Sequence, residues 1–316
     1  MRDLNTKPVK TLFLGTDWES VKTLRSLLED KRFDIVGVIT TVDKPVGRKQ
    51  VLTPSKVKEY AKENGIEVFH TEKQKEKYQQ ALDKFNPELI VCKAFGEILP
   101  DFFINYPIYK SINIHFSLLP KYRGAVPIQK AILDGEKETG ITVMLMSSGL
   151  DQGDILKTIS EPISPTDTNL SLRERLVNIS AKAIGDILEQ WINGNIKPVK
   201  QDDSKATYCW QKDISKENAE IQFEKMEPEY IERMIRAMIP WPVAWCMLDS
   251  KRMKIYKAQL TKKYSNEKPG SLFIENGKIF FSTKNREQCI EVLELQIEGK
   301  QHMTNTEFIN GTKNLI

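Results

Sequence analysis

The chain has 316 residues, about twice the usual size of a domain, so its length favours two domains. Hydrophobic residues make up 40% and charged residues 28% of the chain, a balance that excludes intrinsic disorder, collagen and a coiled coil. The formal net charge of +4 is too small to establish a nucleic-acid partner by itself.

In the first half of the chain, short apolar runs alternate with amphipathic helical patterns. We predict strands at residues 9–14, 33–39, 66–69, 89–92 and 111–115, and helices at residues 18–29, 54–64 and 72–85. This alternation predicts right-handed βαβ crossovers and a parallel sheet. The first turn, Gly15-Thr16-Asp17, lacks the glycine pattern of dinucleotide binding and the lysine of a phosphate loop. We therefore expect the ligand beyond the carboxyl ends of the strands, near the loops after Cys92 and His115.

The pattern changes in the second half. Further strands are predicted at 141–146 and 155–159, and a helix over 171–192 closes the first domain. After a helix at 228–238, short strands at 243–248, 253–258, 271–274, 278–282 and 289–296 predict a small antiparallel barrel. The predicted domains are residues 1–193 and 207–316, joined by a linker at 194–206 that contains Gly194, Pro198 and two aspartates.

The longest apolar runs are far shorter than the roughly 20 residues of a membrane span. The N-terminus is polar and has no signal-peptide pattern, so we expect a cytoplasmic protein that makes no membrane contact. The four cysteines are scattered singly, which predicts neither a zinc site nor a disulfide framework, and no metal is expected.

Only three histidines occur, and one of them, His115, ends a predicted strand. Strand alternation places Asn113 on the same face as His115. Asp151 follows in a glycine-flanked loop, where it could orient the imidazole and favour its protonated form. On spacing alone, the favoured interpretation is structural: Asn113 and His115 satisfy a strand end, and Asp151 an ordinary turn.

Positive charge is concentrated in two runs. Residues 251–268 contain seven Lys or Arg and one Glu, and residues 41–58 contain five Lys or Arg against Asp43. A single such run usually marks a solvated surface, but two raise the prospect of a polyanionic partner. In the second domain, the pair Lys262 and Lys263 is the candidate contact.

Several long motifs follow one another in a fixed order. They read LFLGT at 12–16, AFGEILP at 94–100, NIHFSLLPKYRGAVPIQ at 113–129, ETGITVM at 138–144, GLDQGD at 149–154 and PWPVAW at 240–245. Together they resemble the formyltransferase family that uses 10-formyltetrahydrofolate, over nearly the whole chain. The resemblance implies an α/β fold: a Rossmann-like parallel-sheet formyltransferase domain followed by a small antiparallel, OB-like β-barrel domain.

The resemblance also implies an activity and its residues. The expected reaction moves the formyl group of 10-formyltetrahydrofolate, a co-substrate, to the α-amino group of methionyl initiator tRNA, and the enzyme is expected to be a monomer. By position, Asn113, His115 and Asp151 are the implied catalytic residues. The implied folate site contains Ser117, Leu118, Leu119 and Pro120, with Phe95, Gly96, Glu97 and Leu99 in the wall of the pterin pocket. The resemblance implies that the loop at 43–49 contacts the acceptor stem of the tRNA. Arg48 is the first candidate for this contact and Lys49 the second.

Two positions depart from the family pattern: Phe116 replaces a small residue and Lys93 replaces an apolar one. Three other functions remain open: a formyltransferase acting on an amino-sugar nucleotide, a formyltetrahydrofolate hydrolase, and an RNA-binding protein with a degenerate enzyme domain. The motif at 240–245 favours the tRNA enzyme over the sugar enzyme.

Overall fold

The computed structural model describes residues 7–47 and 49–312, and the chain divides into two compact units. The first consists of Met1–Arg123, Gly140–Glu161 and Glu174–Tyr208. The second consists of Gly124–Thr139, Pro162–Arg173 and Cys209–Ile316. Two short segments that precede residue 174 in the chain therefore belong to the second unit.

The strands are β1 (Val9–Gly15), β2 (Phe33–Ile39), β3 (Lys44–Val46), β4 (Val51–Thr53), β5 (Val68–Phe69), β6 (Leu89–Lys93), β7 (Ser111–His115), β8 (Arg123–Gly124), β9 (Glu138–Leu145), β10 (Ile155–Pro162), β11 (Tyr208–Cys209), β12 (Trp245–Leu248), β13 (Lys251–Lys262), β14 (Leu272–Glu275), β15 (Lys278–Ser282), β16 (Gln288–Ile297) and β17 (Met303–Thr304). The α-helices are α1 (Trp18–Glu29), α2 (Lys56–Glu63), α3 (Lys75–Phe85), α4 (Asp101–Asn105), α5 (Pro127–Asp134), α6 (Asn169–Ile192), α7 (Pro228–Ala237) and α8 (Asn305–Thr312).

A seven-stranded sheet in the order β10-β9-β7-β6-β1-β2-β5 forms the centre of the first unit. Its pairs β5–β2, β2–β1, β1–β6 and β6–β7 are parallel, which confirms the predicted parallel sheet. Strand β9 then runs antiparallel to β7, with Thr142 opposite His115 and Leu145 opposite Ile112. The loops after β6 and β7 therefore leave the same edge of the sheet, and the loop after β9 starts beside the beginning of β7.

Local sequence explains where the helices begin. Helix α1 buries Ser20, Thr23, Leu24 and Leu27, the spacing of one helical face, and its bounds match the prediction. Helix α2 begins two residues later than predicted because Ser55 caps it, accepting a hydrogen bond from the backbone N–H of Lys58. The helix predicted from residue 72 begins only at Lys75, since residues 72 and 73 adopt positive φ angles.

The second unit contains a curled antiparallel sheet, a half-barrel, in the order β12-β13-β16-β15-β14 with β17 on β16. Helix α7 buries Ile231, Met234 and Ile235 at helical spacing. Phe223 and Phe281 stack in this unit with ring centroids 4.8 Å apart. The five strands predicted here are all present, although β13 is twice as long as predicted because it pairs with β16 along most of its length.

Across the described ranges, 7–47 and 49–312, no helix is both long and apolar enough to cross a bilayer. All four cysteines are buried and unpaired with one another. The same ranges hold no cluster of three or more His, Cys, Asp or Glu side chains suited to a metal ion.

Candidate active site

The three polar side chains that the sequence singles out lie together beside β7. Asn113 and His115 belong to that strand, and Asp151 comes from the loop between β9 and β10. Asn113 Nδ2 donates to Asp151 Oδ1 over 3.4 Å. His115 Nδ1 lies 3.6 Å from Asp151 Oδ2, with both side chains largely buried. Strand β7 and the loop between β9 and β10 thus bring an amide, an imidazole and a carboxylate into one site. The catalytic role of these three groups stays a prediction.

The imidazole of His115 is held by backbone as well as by Asp151. Its Nε2 lies 2.8 Å from the carbonyl oxygen of Tyr122. A carbonyl oxygen can only accept a hydrogen bond, so Nε2 carries a proton. Sequence reasoning missed Tyr122, because a backbone acceptor leaves no signature in the side-chain pattern; it lies, however, within the long motif at 113–129.

Burial lowers the pKa of His115. The carboxylate of Asp151 and the hydrogen bond to Tyr122 oppose this effect, whereas the positive charge of Lys93 adds to it. Asp151 therefore acts in the direction expected from the sequence, but burial outweighs it and the ring is neutral at neutral pH. A neutral ring protonated at Nε2 has its lone pair at Nδ1, on the side of Asp151.

The site therefore offers two proton acceptors and one neutral donor at close range. The acceptors are His115 Nδ1 and the carboxylate of Asp151, and the donor is the Asn113 amide. An amine or a water molecule can donate to the acceptors, and a polarised carbonyl oxygen can accept from the amide. This arrangement suits proton transfer coupled to attack on a carbonyl group.

The two departures from the family pattern contact each other. Lys93, at the end of β6, is only 4% exposed. Its Nζ lies 3.0 Å from the ring centroid of Phe116 and 3.6 Å from the Glu19 carboxylate. It also donates to the carbonyl oxygen of Ile114 over 3.3 Å. The aromatic face, the carboxylate and the carbonyl together compensate for the burial of the ammonium group. Phe116 thus helps to accommodate Lys93 beside His115.

The proposed folate segment at residues 117–120 forms the loop after β7. The side chains of Ser117 and Leu119 are buried, whereas Leu118 and Pro120 are half-buried. Thr142 on β9 fixes this loop, because its hydroxyl donates to the carbonyl oxygen of Ser117 over 2.6 Å and accepts from the backbone N–H of Leu119 over 3.1 Å. Sequence reasoning did not identify Thr142, although it lies in the motif at 138–144.

The proposed pterin wall, residues 95–99, is the loop after β6. Phe95 and Leu99 point into the hydrophobic core of the first unit. Glu97 accepts hydrogen bonds from the hydroxyls of Thr71 at 2.8 Å and Tyr78 at 2.7 Å. Gly96 is exposed, with a φ of +81° and open space where a side chain would be. Three of these side chains therefore anchor the loop, and its backbone around Gly96 is left accessible.

The basic residues expected to bind tRNA differ in their availability. Arg48 lies outside the described residues. Lys49 is exposed in the turn between β3 and β4, and Lys262 is exposed at the end of β13. Lys263 is instead half-buried: its Nζ pairs with Glu275 at 2.6 Å and lies 5.0 Å from the ring centroid of Phe280. The pair predicted as a unit thus contains one accessible lysine and one engaged within its own sheet.

Comparison with known proteins identifies the family. A profile described as formyl transferase matches residues 9–188, and one described as formyl transferase, C-terminal domain, matches residues 213–313. The chain belongs to the formyltransferase family. A methionyl-tRNA formyltransferase from Halalkalibacterium halodurans is 42% identical over 306 residues, covering 96% of this chain and 95% of the relative. Another from Geobacillus is 40% identical over 307 residues, covering 96% and 94%.

Solved formyltransferase structures share the fold. WlaRD, a sugar 3N-formyl transferase crystallised with dTDP and 5-N-formyl-THF, is 22% identical with a TM-score of 0.65, covering 93% of this chain and 99% of its own. The N-formyltransferase from Helicobacter canadensis, in complex with folinic acid and dTDP-3-aminofucose, is 23% identical with a TM-score of 0.68, covering 90% and 99%. The predicted fold class is therefore confirmed, a Rossmann-like domain followed by the antiparallel half-barrel.

Proposed function

We propose that this formyltransferase moves the formyl group of 10-formyltetrahydrofolate to the α-amino group of methionyl initiator tRNA, the reaction that prepares the first aminoacyl-tRNA of translation. The observation that carries the proposal is the convergence of Asn113, His115 and Asp151 in a chain that is 42% identical, over 96% of its length, to a methionyl-tRNA formyltransferase. The acceptor and donor named here follow from that relationship.

The geometry supplies what formyl transfer to an amine needs. The amine nitrogen attacks the formyl carbon, the bond from that carbon to N10 of the folate breaks, and one proton passes from the amine to N10. His115 Nδ1 accepts the proton from the amine, the carboxylate of Asp151 stabilises the imidazolium that forms, and the imidazolium then gives the proton to N10, directly or through water. The amide of Asn113 donates to the formyl oxygen while negative charge develops there. No covalent bond to a side chain is required.

The residues assigned to folate fit a flat, polar-edged ring. The open backbone at Gly96 provides N–H and C=O groups, and Leu118 and Pro120 provide half-buried apolar surface. Phe95, Glu97 and Leu99 hold one loop from within, and Ser117 and Leu119 hold the other. We assign the pterin to the space bordered by these two loops, because both follow parallel strands at the edge that also carries His115.

The functions that we propose for each part of the chain follow the domains expected from the sequence. Residues 1–193 bind folate and catalyse transfer, residues 194–206 connect, and residues 207–316 help to bind tRNA. Exposed Lys49 and Lys262, together with Arg48, are the proposed phosphate contacts. Lys263 contributes only if its ion pair with Glu275 opens.

The acceptor is tested directly by three incubations of the purified protein with 10-formyltetrahydrofolate. One contains methionylated initiator tRNA, one an amino-sugar nucleotide and one no acceptor. We expect formylmethionyl-tRNA from the first only. Transfer to the sugar alone would replace the proposal with the sugar enzyme, and formate released without an acceptor would identify a hydrolase.

A further inference from the structure

The loop that carries Asp151 has a conformation that needs support. Asp151 adopts a φ of +51°, in the left-handed region that side chains other than glycine seldom occupy. Two residues later, a Cβ on Gly153 would lie 1.7 Å from the carbonyl oxygen of Leu145. The carboxylate beside His115 thus depends on a backbone path that few sequences adopt unaided.

Gln201 holds this loop at two points. Its Nε2 donates to the carbonyl oxygen of Asp151 over 2.8 Å and to that of Gly153 over 2.7 Å. Both N–H groups of one amide are therefore used, one for each carbonyl on either side of the loop tip. Gln201 is 6% exposed, so water does not readily replace it. Gln201 lies in the predicted linker at 194–206, yet in the structure it contacts the loop of the proposed catalytic aspartate.

Arg123 fixes the orientation of the Gln201 amide. Its Nε and Nη2 donate to Gln201 Oε1 over 3.1 and 2.8 Å, and Nη2 also pairs with Asp203 at 2.7 Å. Arginine can only donate and carbonyl oxygens can only accept, so a flipped amide would lose all of its hydrogen bonds to Arg123, Asp151 and Gly153. Arg123 is itself 1% exposed, so its hydrogen bonds to Gln201 are buried.

We propose that Gln201, oriented by Arg123, is a positioning residue that holds Asp151 beside His115. This proposal rests on the proposed function, because Asp151 matters for catalysis only if the protein transfers a formyl group. The position of Asp151 itself can be measured in the protein without substrates. Loss of the two donors lets the loop relax, and the Asp151 carboxylate then leaves the imidazole. The expected result is slower transfer with little change in substrate binding.

The test variant is Gln201→Met, which keeps side-chain length, adds no charge and removes both donors. The matched control is Asp202→Ala, which removes a side chain that caps the next turn by accepting from the backbone N–H of Ser204 at 3.1 Å. Two readouts are compared in the full-length protein: kcat against KM for each substrate, and the titration of His115 by NMR. The chain has only three histidines, so the His115 resonance can be assigned.

Two charged groups act on the titration of His115: Asp151 raises its pKa and Lys93 lowers it. When Asp151 moves away, the midpoint of His115 shifts to lower pH. For Gln201→Met we expect this shift and a kcat loss of about tenfold or more, with KM within about twofold of wild type. Asp202→Ala should show neither effect. A merely structural role would lower the melting temperature and leave both readouts unchanged.

An unchanged His115 midpoint and kcat in folded Gln201→Met would overturn the positioning role. If that variant does not fold, Gln201→Glu keeps an acceptor for Arg123 and lacks the same two donors, and a wild-type kcat in it would overturn the role equally. The NMR titration needs no formyl transfer. The wild type could lack transferase activity while Gln201→Met still shows the predicted NMR shift. That pair of results would refute the proposed function and support the positioning role of Gln201.

Discussion

Replacing Asp151 with Asn removes one negative charge beside His115 and changes the shape of the site little. In the wild type, the carboxylate oxygen lies 3.6 Å from His115 Nδ1, and both side chains are largely shielded from water. At that distance two unit charges attract by about 4 to 5 kcal/mol with an effective dielectric of about 20. The imidazolium that forms when His115 takes the proton loses this stabilisation, which corresponds to roughly a thousandfold fall in kcat.

The assay is a single-turnover measurement of formyl transfer to methionyl initiator tRNA, paired with folate binding to the free protein. Asp151→Asn should bind folate normally and transfer slowly. Asp154→Asn is the matched control, because Asp154 lies in the same loop and bonds to Leu145 through its backbone oxygen. A fall in kcat of less than about tenfold in Asp151→Asn would refute the electrostatic role.

Three further predictions concern the pH dependence, the loop geometry and the tRNA surface. Because burial lowers the pKa of His115 below the ordinary 6.5, transfer that needs the neutral ring should persist below that pH and fail only as the ring becomes protonated. Lys93→Gln should move the acid limb that belongs to His115 to higher pH, and an unmoved limb would contradict its assignment to His115. Gly153→Ala should destabilise the protein by several kcal/mol in urea unfolding, since its Cβ would clash with a backbone oxygen 1.7 Å away; a wild-type midpoint would count against the loop geometry. Lys262→Glu should raise KM for tRNA and weaken the salt dependence of binding, because each phosphate neutralised by the protein contributes about one to the log–log slope. The exposed Lys157→Glu serves as its control, and an equal effect in both would mean a nonspecific change of net charge.

The sequence predicted most of the first sheet, for reasons visible in particular elements. Strands β2 and β7 have the predicted bounds. β2 is a mostly apolar sequence, and β7 alternates isoleucine with polar residues. Helix α5 was not predicted, although Pro127 at its start and Gly135 at its end are ordinary boundary signals. Its eight residues fall inside a motif that was interpreted for chemistry alone. The hairpin of β3 and β4 was also missed, since three-residue exposed strands carry no burial pattern.

The candidate site was predicted where its residues share one element or one motif. Asn113 and His115 follow from strand alternation, and Asp151 from its glycine-flanked loop together with the family resemblance. Gln201 was missed because it lies 50 residues from Asp151 in the sequence. A local sequence pattern cannot predict a contact between residues so far apart. The contact between Lys93 and Phe116 was missed for the same reason: each appeared as a separate departure, and only the folded sheet places the ammonium group over the ring.

We expect His115, together with Asn113 and Asp151, to perform formyl transfer to methionyl-tRNA. The most direct measurement is the single-turnover rate of His115→Ala with methionyl initiator tRNA, beside His302→Ala, whose exposed imidazole pairs with Glu294 in the second unit. We expect His115→Ala to bind folate like the wild type and to lose most of its transfer rate, while His302→Ala keeps both. Wild-type transfer by folded His115→Ala would show that His115 is not a catalytic residue.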